Sequence, residues 1–298
     1  MQAIKSDILQ HIEIALKGKR MEIVRTIADL RGCLKTWRKN NESVGLVATM
    51  GGLHNGHLSL VEHSKLHADR TITTLFVNPS QFAPHEDFAT YPRKELADRE
   101  MLETAGSDLL FAPNVSEIYP DGHLTRIDVQ GLSQILEGEF RPNFFTGVAT
   151  VVAKLLLQAL PDVAIFGEKD YQQLCVIQTM VRDLDIPVEI IGAKTIREED
   201  GLAMSSRNLY LTAKERKIAP LLYQVISQVA KNVRDGGQPI NQRSWAEAEL
   251  TKAGFGAVDY VAVRDAQTLD PVSDASRPAR VLAAAYLGRT RLIDNVAI

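Results

Sequence analysis

The sequence predicts an α/β protein: a doubly wound parallel sheet followed by a smaller C-terminal α+β domain. Three observations carry this expectation. Short apolar runs alternate with stretches of helical periodicity across residues 44–192, the order in which a parallel sheet threads its strands and crossover helices. The first apolar run ends at Gly51-Gly52, where a strand can turn sharply into a helix. Beyond Gly192 the alternation stops, and long helical stretches precede several strand-like runs.

Taken in order, residues 44–50 form a strand, and a helical pattern begins at Gly56-His57. Residues 71–77 alternate polar and apolar, a second strand closed by Asn78-Pro79. A helix at 93–105 and a strand at 108–111 follow. Val148, Val151, Val152, Leu155 and Leu156 recur at helical spacing. A strand at 162–166, a helix at 170–184 and a strand at 188–191 complete a Rossmann-like unit. Thr212-Ala213-Lys214-Glu215 then has the capping-box spacing and opens a long helix that Gly236-Gly237 ends. A second helix near 244–253 and strands at 258–264, 281–287 and 291–296 make the C-terminal unit. The expected division is an N-terminal extension at 1–20, a Rossmann-like domain at 21–195 and an α+β lid domain at 196–298.

Composition narrows the function classes. At 298 residues the chain exceeds a usual single core. Lys and Arg number 34 against 37 Asp and Glu, a net charge of -3 with no segregated block, so no nucleic-acid partner is expected. No apolar run of about 18 residues is present to span a bilayer. Cys33 and Cys175 are far apart and lack metal-site spacing, which fits reduced thiols in a cytoplasmic protein. Lys5, Asp7 and Glu13 interrupt the first twenty residues, a poor fit to a secretory signal, and Met21 reads as a second start.

The chemistry concentrates at strand ends, where helix N-termini present free N–H groups to anions. His54 and His57 flank Gly56 at such a place, with His57 expected to open the helix. Two imidazoles three residues apart can donate to one phosphoryl oxygen, so they suit charge growing on an α-phosphate. The competing readings are a metal site or surface histidines. Gly167-Glu168-Lys169-Asp170 places a cation and a carboxylate at the end of another strand. Lys169 can neutralise phosphate, and Asp170 can cap the helix or accept from a ribose hydroxyl; alone, the tetrapeptide is more often a capped turn with a solvated Lys, and its position after a strand brings the two readings level. Met204-Ser205-Ser206-Arg207 offers hydroxyls and a guanidinium to triphosphate oxygens and can close like a lid, although by itself it reads as a polar loop. Asn78, Gln81, Gln172 and Gln173 are uncharged amides that can orient a small polar acid while leaving its carboxylate nucleophilic.

Together these segments resemble the pantoate:beta-alanine ligase (pantothenate synthetase) family. The resemblance is carried by Met50-Gly51-Gly52-Leu53-His54-Asn55-Gly56-His57-Leu58, Phe76-Val77-Asn78-Pro79-Ser80-Gln81-Phe82, Tyr91-Pro92-Arg93, Gly167-Glu168-Lys169-Asp170-Tyr171-Gln172-Gln173-Leu174 and Asp200-Gly201-Leu202-Ala203-Met204-Ser205-Ser206-Arg207-Asn208. It runs from about Met21 to the end, through Asp259-Tyr260-Val261 and Arg291-Leu292-Ile293-Asp294-Asn295. The His-x-Gly-His element alone is shared by the wider nucleotidylyltransferase and class I synthetase superfamily. The resemblance implies two steps: pantoate attacks the α-phosphate of Mg-ATP to give pantoyl adenylate and pyrophosphate, then beta-alanine displaces AMP to give pantothenate. It further implies that Met50, Gly51, Gly52, Leu53, His54, Asn55, Gly56 and His57 form the first ATP segment, with His57 a proton donor and His54 its phosphate-binding companion. Gly167, Glu168, Lys169 and Asp170 would form the second, with Lys169 on phosphate. Gln81 would contact both pantoate and beta-alanine, Gln173 would hold pantoate with Asn78 beside it, Ile196 would meet adenine through its backbone, and Met204, Ser205, Ser206 and Arg207 would cover the phosphates. A cytoplasmic homodimer using ATP and Mg2+ is implied as well.

Two positions depart from the family pattern: Phe144 stands where a histidine is common, so no role of that histidine carries over, and Gly52 stands where alanine is usual. Three other functions share parts of the pattern. A nucleotidylyltransferase would need the His pair but not Asn78, Gln81 and Gln173; a class I aminoacyl-tRNA synthetase would need a basic tRNA surface; a nucleotide sensor would bind ATP without turnover.

Overall fold

The computed structural model describes residues 21–84 and 86–298, and the expected extension at 1–20 lies outside them. Strands β1 (Glu22–Val24), β2 (Val44–Thr49), β3 (Arg70–Leu75), β4 (Leu109–Phe111), β5 (Val163–Gly167) and β6 (Glu189–Ala193) form one sheet in the order β1-β4-β3-β2-β5-β6, every pair parallel. Helices α1 (Ile27–Lys39), α2 (Asn55–His67), α3 (Glu95–Ala105), α4 (Val115–Ile118), α5 (Glu137–Phe140), α6 (Phe144–Ala159) and α7 (Tyr171–Asp183) connect them. Leu34, Leu156 and Ile177 from α1, α6 and α7 bury one face with Leu46 and Ile72; Val61 and Leu102 from α2 and α3 bury the other with Val47 and Ile165. This is the expected doubly wound sheet. The chain runs outward from β2 through β3 to β4, then returns to β5 on the other side of β2. Strand order therefore reverses between β2 and β5, and the crevice beyond their carboxyl ends is the topological switch point where such sheets bind ligands.

After β6 come α8 (Ala213–Ile218), α9 (Leu221–Arg234) and α10 (Pro239–Ala253), packed with Val281, Ala283 and Ala285 of an antiparallel sheet of β7 (Val258–Asp265), β8 (Ala279–Leu287) and β9 (Thr290–Ala297). The opposite face of this small sheet meets the large unit, where Tyr260, Leu282 and Ala284 pack with Leu136 and Cys175.

Several elements differ from expectation for identifiable reasons. The capping box of Thr212 and Glu215 forms as anticipated, but the single long helix is two, because Pro220 sits between α8 and α9 and cannot donate to a continuing helix. Helix α10 begins at Pro239, five residues before the expected start, with proline at the first helical position. The polar positions of β3 do not face water: Thr71, Thr73 and Thr74 are all buried. Their side chains are matched within the protein: the Thr71 hydroxyl pairs with Ser64 and that of Thr73 with Ser107, each at 2.9 Å. Strand β1 and helix α1 went unanticipated, although Thr26 and Asp29 have N-cap spacing before Leu30, Leu34 and Trp37, which form the buried face.

Candidate active site

A cleft of about 640 Å³ opens at the switch point between the large sheet and the C-terminal unit. That volume suits a ligand of nucleotide size.

The turn after β2 is shaped by two glycines in the left-handed region, Gly51 at φ +85° and Gly52 at φ +63°. It is held by Asp98, buried in the first turn of α3, whose carboxylate accepts from the amides of Gly52 at 3.0 Å and Leu53 at 2.9 Å. His54, rather than His57, starts the helix: its backbone is extended, and its Nδ1 accepts from the Gly56 amide at 3.1 Å, making it the N-cap of α2. A neutral His54 ring therefore carries its proton on Nε2. His57 lies one turn inward, the two ring centroids 4.1 Å apart. Burial, joined for His57 by the neighbouring His54 and Lys169, pushes the imidazole pKa values down, to about 4 for His54, where burial and Lys169 outweigh nearby acids, and about 3 for His57. At neutral pH both rings are uncharged hydrogen-bonding groups. His57 Nδ1 is buried without a partner among the described residues.

Across the switch point, Gly167 ends β5 and Glu168–Asp170 form a turn of 3-10 helix. Lys169 lines the cleft, and among the described residues its ammonium has only a loose ion pair, 3.8 Å from Asp170. Asp170 precedes α7 but makes no side-chain cap, so its half-exposed carboxylate faces the cleft uncommitted to the helix.

The loop 204–207 reaches the first motif from the C-terminal side. Ser205 caps a 3-10 turn by accepting from the Arg207 amide, and the Ser206 hydroxyl donates to the Gly52 carbonyl at 3.0 Å. The Arg207 guanidinium, expected on phosphate, is held by Asp87 through two bonds of 3.1 and 2.9 Å. Ile196 lines the cleft, its carbonyl accepting from the Met204 amide at 3.0 Å.

The amides separate into two kinds. Asn78 uses all its side-chain capacity within the protein: its NH₂ donates to Gln81 Oε1 and the Gly147 carbonyl, and its Oδ1 accepts from Ser80 and Tyr119. Gln172 is likewise consumed, bracing the backbone at Leu132, Ile135 and Glu137. Gln81 meets Met50 Sδ at 3.0 Å and retains one N–H for the cleft. Gln173 lines the cleft without a hydrogen-bond partner among the described residues. Gly147 lets α6 approach this turn, since a Cβ there would lie 2.3 Å from the Ser80 carbonyl oxygen.

The family model for pantoate-beta-alanine ligase matches residues 22–297. The chain is 55% identical to a pantothenate synthetase of Paramagnetospirillum magneticum over 93% of this chain and 98% of that one, and 55% identical to one of Caulobacter vibrioides with the same coverage. Among solved structures, a pantothenate synthetase of Thermus thermophilus superposes with a TM-score of 0.87 at 47% identity, covering 93% of this chain and 99% of the other. A Francisella tularensis pantoate-beta-alanine ligase, complexed with beta-gamma ATP and beta-alanine, superposes at 0.79 with 34% identity, covering 93% and 97%. The chain belongs to the pantoate-beta-alanine ligase family.

Within this ligase fold not every anticipated residue lines the cleft. Met50, His54, Gly56, His57, Gly167, Lys169, Asp170, Ile196, Met204, Ser205, Ser206, Arg207, Asn78, Gln81 and Gln173 do. Gly51, Gly52, Leu53, Asn55 and Glu168 do not. The amides of Gly52 and Leu53 turn away to Asp98, Asn55 faces solvent, and the Glu168 carboxylate pairs with Arg280 at 3.2 Å. Gly52 also fits its turn better than alanine would: a Cβ there would come 3.1 Å from Pro92 with the backbone left-handed.

Sequence reading of this ligase missed Asp98, which lies in no glycine or histidine motif, and a half-buried ionic chain along the cleft. There Arg141 meets Glu86 at 2.6 Å and Glu137 at 3.2 Å, and Glu137 meets Arg291 at 2.7 Å, which in turn holds Asp259 at 2.7 Å. Phe144 places its ring 3.7 Å from the Arg141 guanidinium carbon, an aromatic platform at that position. Such pairs join residues up to 154 apart and leave no local signature.

Proposed function

We propose that the chain is an AMP-forming ligase that condenses (R)-pantoate with beta-alanine to pantothenate through pantoyl adenylate, consuming ATP and releasing AMP and pyrophosphate. The observation that carries this function is the sharing of one switch-point cleft by the His54/His57 pair, Lys169 and the amides of Gln81 and Gln173. A generic nucleotide site would require the first three groups but not the amides.

In the first step a pantoate carboxylate oxygen bonds to the α-phosphorus as the bond to pyrophosphate breaks. Gln81 and Gln173 hold the acid without protonating it. The neutral rings of His54 and His57 donate N–H bonds to the phosphoryl oxygens, and Lys169 offsets their charge. With its pKa near 3 in the free protein, His57 acts first as a hydrogen-bond donor; an anionic triphosphate beside it raises that pKa and makes proton donation easier. In the second step the neutral amine of beta-alanine attacks the acyl carbon, AMP leaves with the electron pair of the broken C–O bond, and the nitrogen gives up one proton to water. Asn78, with no free hydrogen-bonding capacity, orients Gln81 and does not touch the acid.

Among the described residues no group of three or more His, Cys, Asp or Glu is arranged to hold a metal. Mg2+ that keeps its waters and sits on ATP phosphates needs only one or two carboxylates, and Asp170 at the cleft fits that requirement. The ion would neutralise triphosphate charge. We assign residues 21–195 to nucleotide and acid binding and 196–298 to the lid, in a cytoplasmic homodimer whose subunit number light scattering would read.

The test is ATP–pyrophosphate exchange with and without pantoate, followed by beta-alanine addition and measurement of AMP. Exchange that needs pantoate, and AMP release that needs beta-alanine, are expected. Exchange independent of pantoate would exclude this function.

A further inference from the structure

Asp294 and Asn295 are consecutive residues of β9, both buried, at 4% exposure each. Successive strand residues project to opposite faces, so these two reach different partners from one point on the backbone. Asn295 faces the large unit. Its NH₂ donates to the backbone carbonyls of Glu168 at 2.8 Å and Lys169 at 2.9 Å, while its Oδ1 accepts from Arg280. Asp294 faces the other way and takes the Arg197 guanidinium through two bonds of 2.6 and 2.9 Å. Arg197 is stacked on Tyr223 at 3.7 Å and begins a small hairpin, bridged to Ala203, that leads straight into Met204.

We propose that Asn295 and Asp294 are positioning residues for adenylation: β9 grips the Lys169 turn with one side chain and the root of the 204–207 loop with the next, setting the distance between the second ATP segment and the loop that covers the phosphates. Lys169 has little else to direct it. Among the described residues its ammonium has a single loose partner in Asp170, so the backbone of the 168–170 turn decides where the charge points, and Asn295 fixes two carbonyls of that turn. The kinetic part of this proposal rests on the ligase function above.

Asn295→Asp keeps the size of the side chain and its acceptor for Arg280 while removing both N–H donors. In pantoate-dependent exchange we expect kcat to fall about ten- to a hundredfold, the scale of an ångström-level misplacement, with a smaller change in KM for ATP. Added to Lys169→Ala, the same change should cost less than about threefold, because residues acting through one group are not additive. Ile226→Val, a truncation in the core of the C-terminal unit, serves as a stability control and should leave kcat unchanged. Asn295→Ser replaces Asn295→Asp if the latter does not fold. A second readout avoids turnover: reductive methylation of Lys169, followed by mass spectrometry and referenced to Lys214, should change at least about threefold in the variant, as expected for coupled groups. Full loss in the Lys169→Ala background, or unchanged Lys169 methylation, would overturn the proposal. Failure of the wild-type protein to exchange would instead remove the ligase function and leave the methylation result to decide the positioning role.

Discussion

The turn after β2 and the loop 204–207 meet across one cleft, yet they are held in different ways. The turn grows from a central strand of the sheet, and its amides are locked by the buried Asp98 carboxylate. The loop arrives from outside the sheet and is tied to the turn side by polar contacts, Ser206 to Gly52 and Arg207 to Asp87. Removing a contact of the first kind disturbs where the imidazoles stand; removing one of the second kind changes how readily the loop sits over a ligand. The rigid wall is thus expected to govern rate, and the tied wall to govern affinity.

The largest effect that can break this comparison lies at the His pair. His57→Ala is expected to lower pantoate-dependent exchange at least about a hundredfold, the scale of a lost transition-state donor; near-normal exchange would take the rigid wall out of the chemistry. Next comes Asp98→Ala, which leaves two half-buried amides without their carboxylate partner. Because charged hydrogen bonds contribute about 1.5–3 kcal/mol each, chemical denaturation should show a loss of a few kcal/mol, and kcat should fall more than ATP affinity. Asp87→Asn is milder. It frees Arg207 for phosphate, so ATP affinity should rise by up to about tenfold with kcat nearly unchanged, the gain of one charge-assisted bond. Weaker ATP binding in Asp87→Asn would mean that Asp87 orients Arg207 for the ligand.

The comparison can also be sharpened through pH dependence. The folded pKa values of His54 and His57 lie below the ordinary 6.5, so unfolding takes up protons. Their contribution to stability is complete above about pH 6.5 and is lost as pH falls toward 4 and 3. The free protein should lose stability over that interval more steeply than a His54→Asn, His57→Asn double variant, as followed by urea midpoints at each pH. Equal slopes would show that the rings are not shielded in the free protein.

Legibility followed the range of the interaction. Helix α2, strands β2 and β5 and the Thr212 capping box were readable because apolar period, glycine and cap residues lie within a few positions of each other. The α8–α9 break and the α10 start were also written locally, at Pro220 and Pro239, but the helical pattern around them masked the prolines. Asp98 was not readable, because its partners lie 45 and 46 positions away and an aspartate in the first turn of a helix needs no further explanation. The same holds for Asp294 and Asn295, whose contacts with Arg197, Lys169 and Glu168 span 97 to 127 residues.

By itself the sequence determined the strand and helix grammar, the glycine turn that lets a backbone approach phosphate, and the set of side chains able to serve an ATP and acid site. Those properties depend on local backbone sterics and on functional-group chemistry. Only the tertiary structure decided that both imidazoles are neutral, that Asn78 and Gln172 are spent on the protein while Gln81 and Gln173 face the cleft, and that Asp87 holds Arg207. Each of those outcomes depends on desolvation or on a hydrogen-bond partner brought close by packing, and neither is encoded by residue type or spacing.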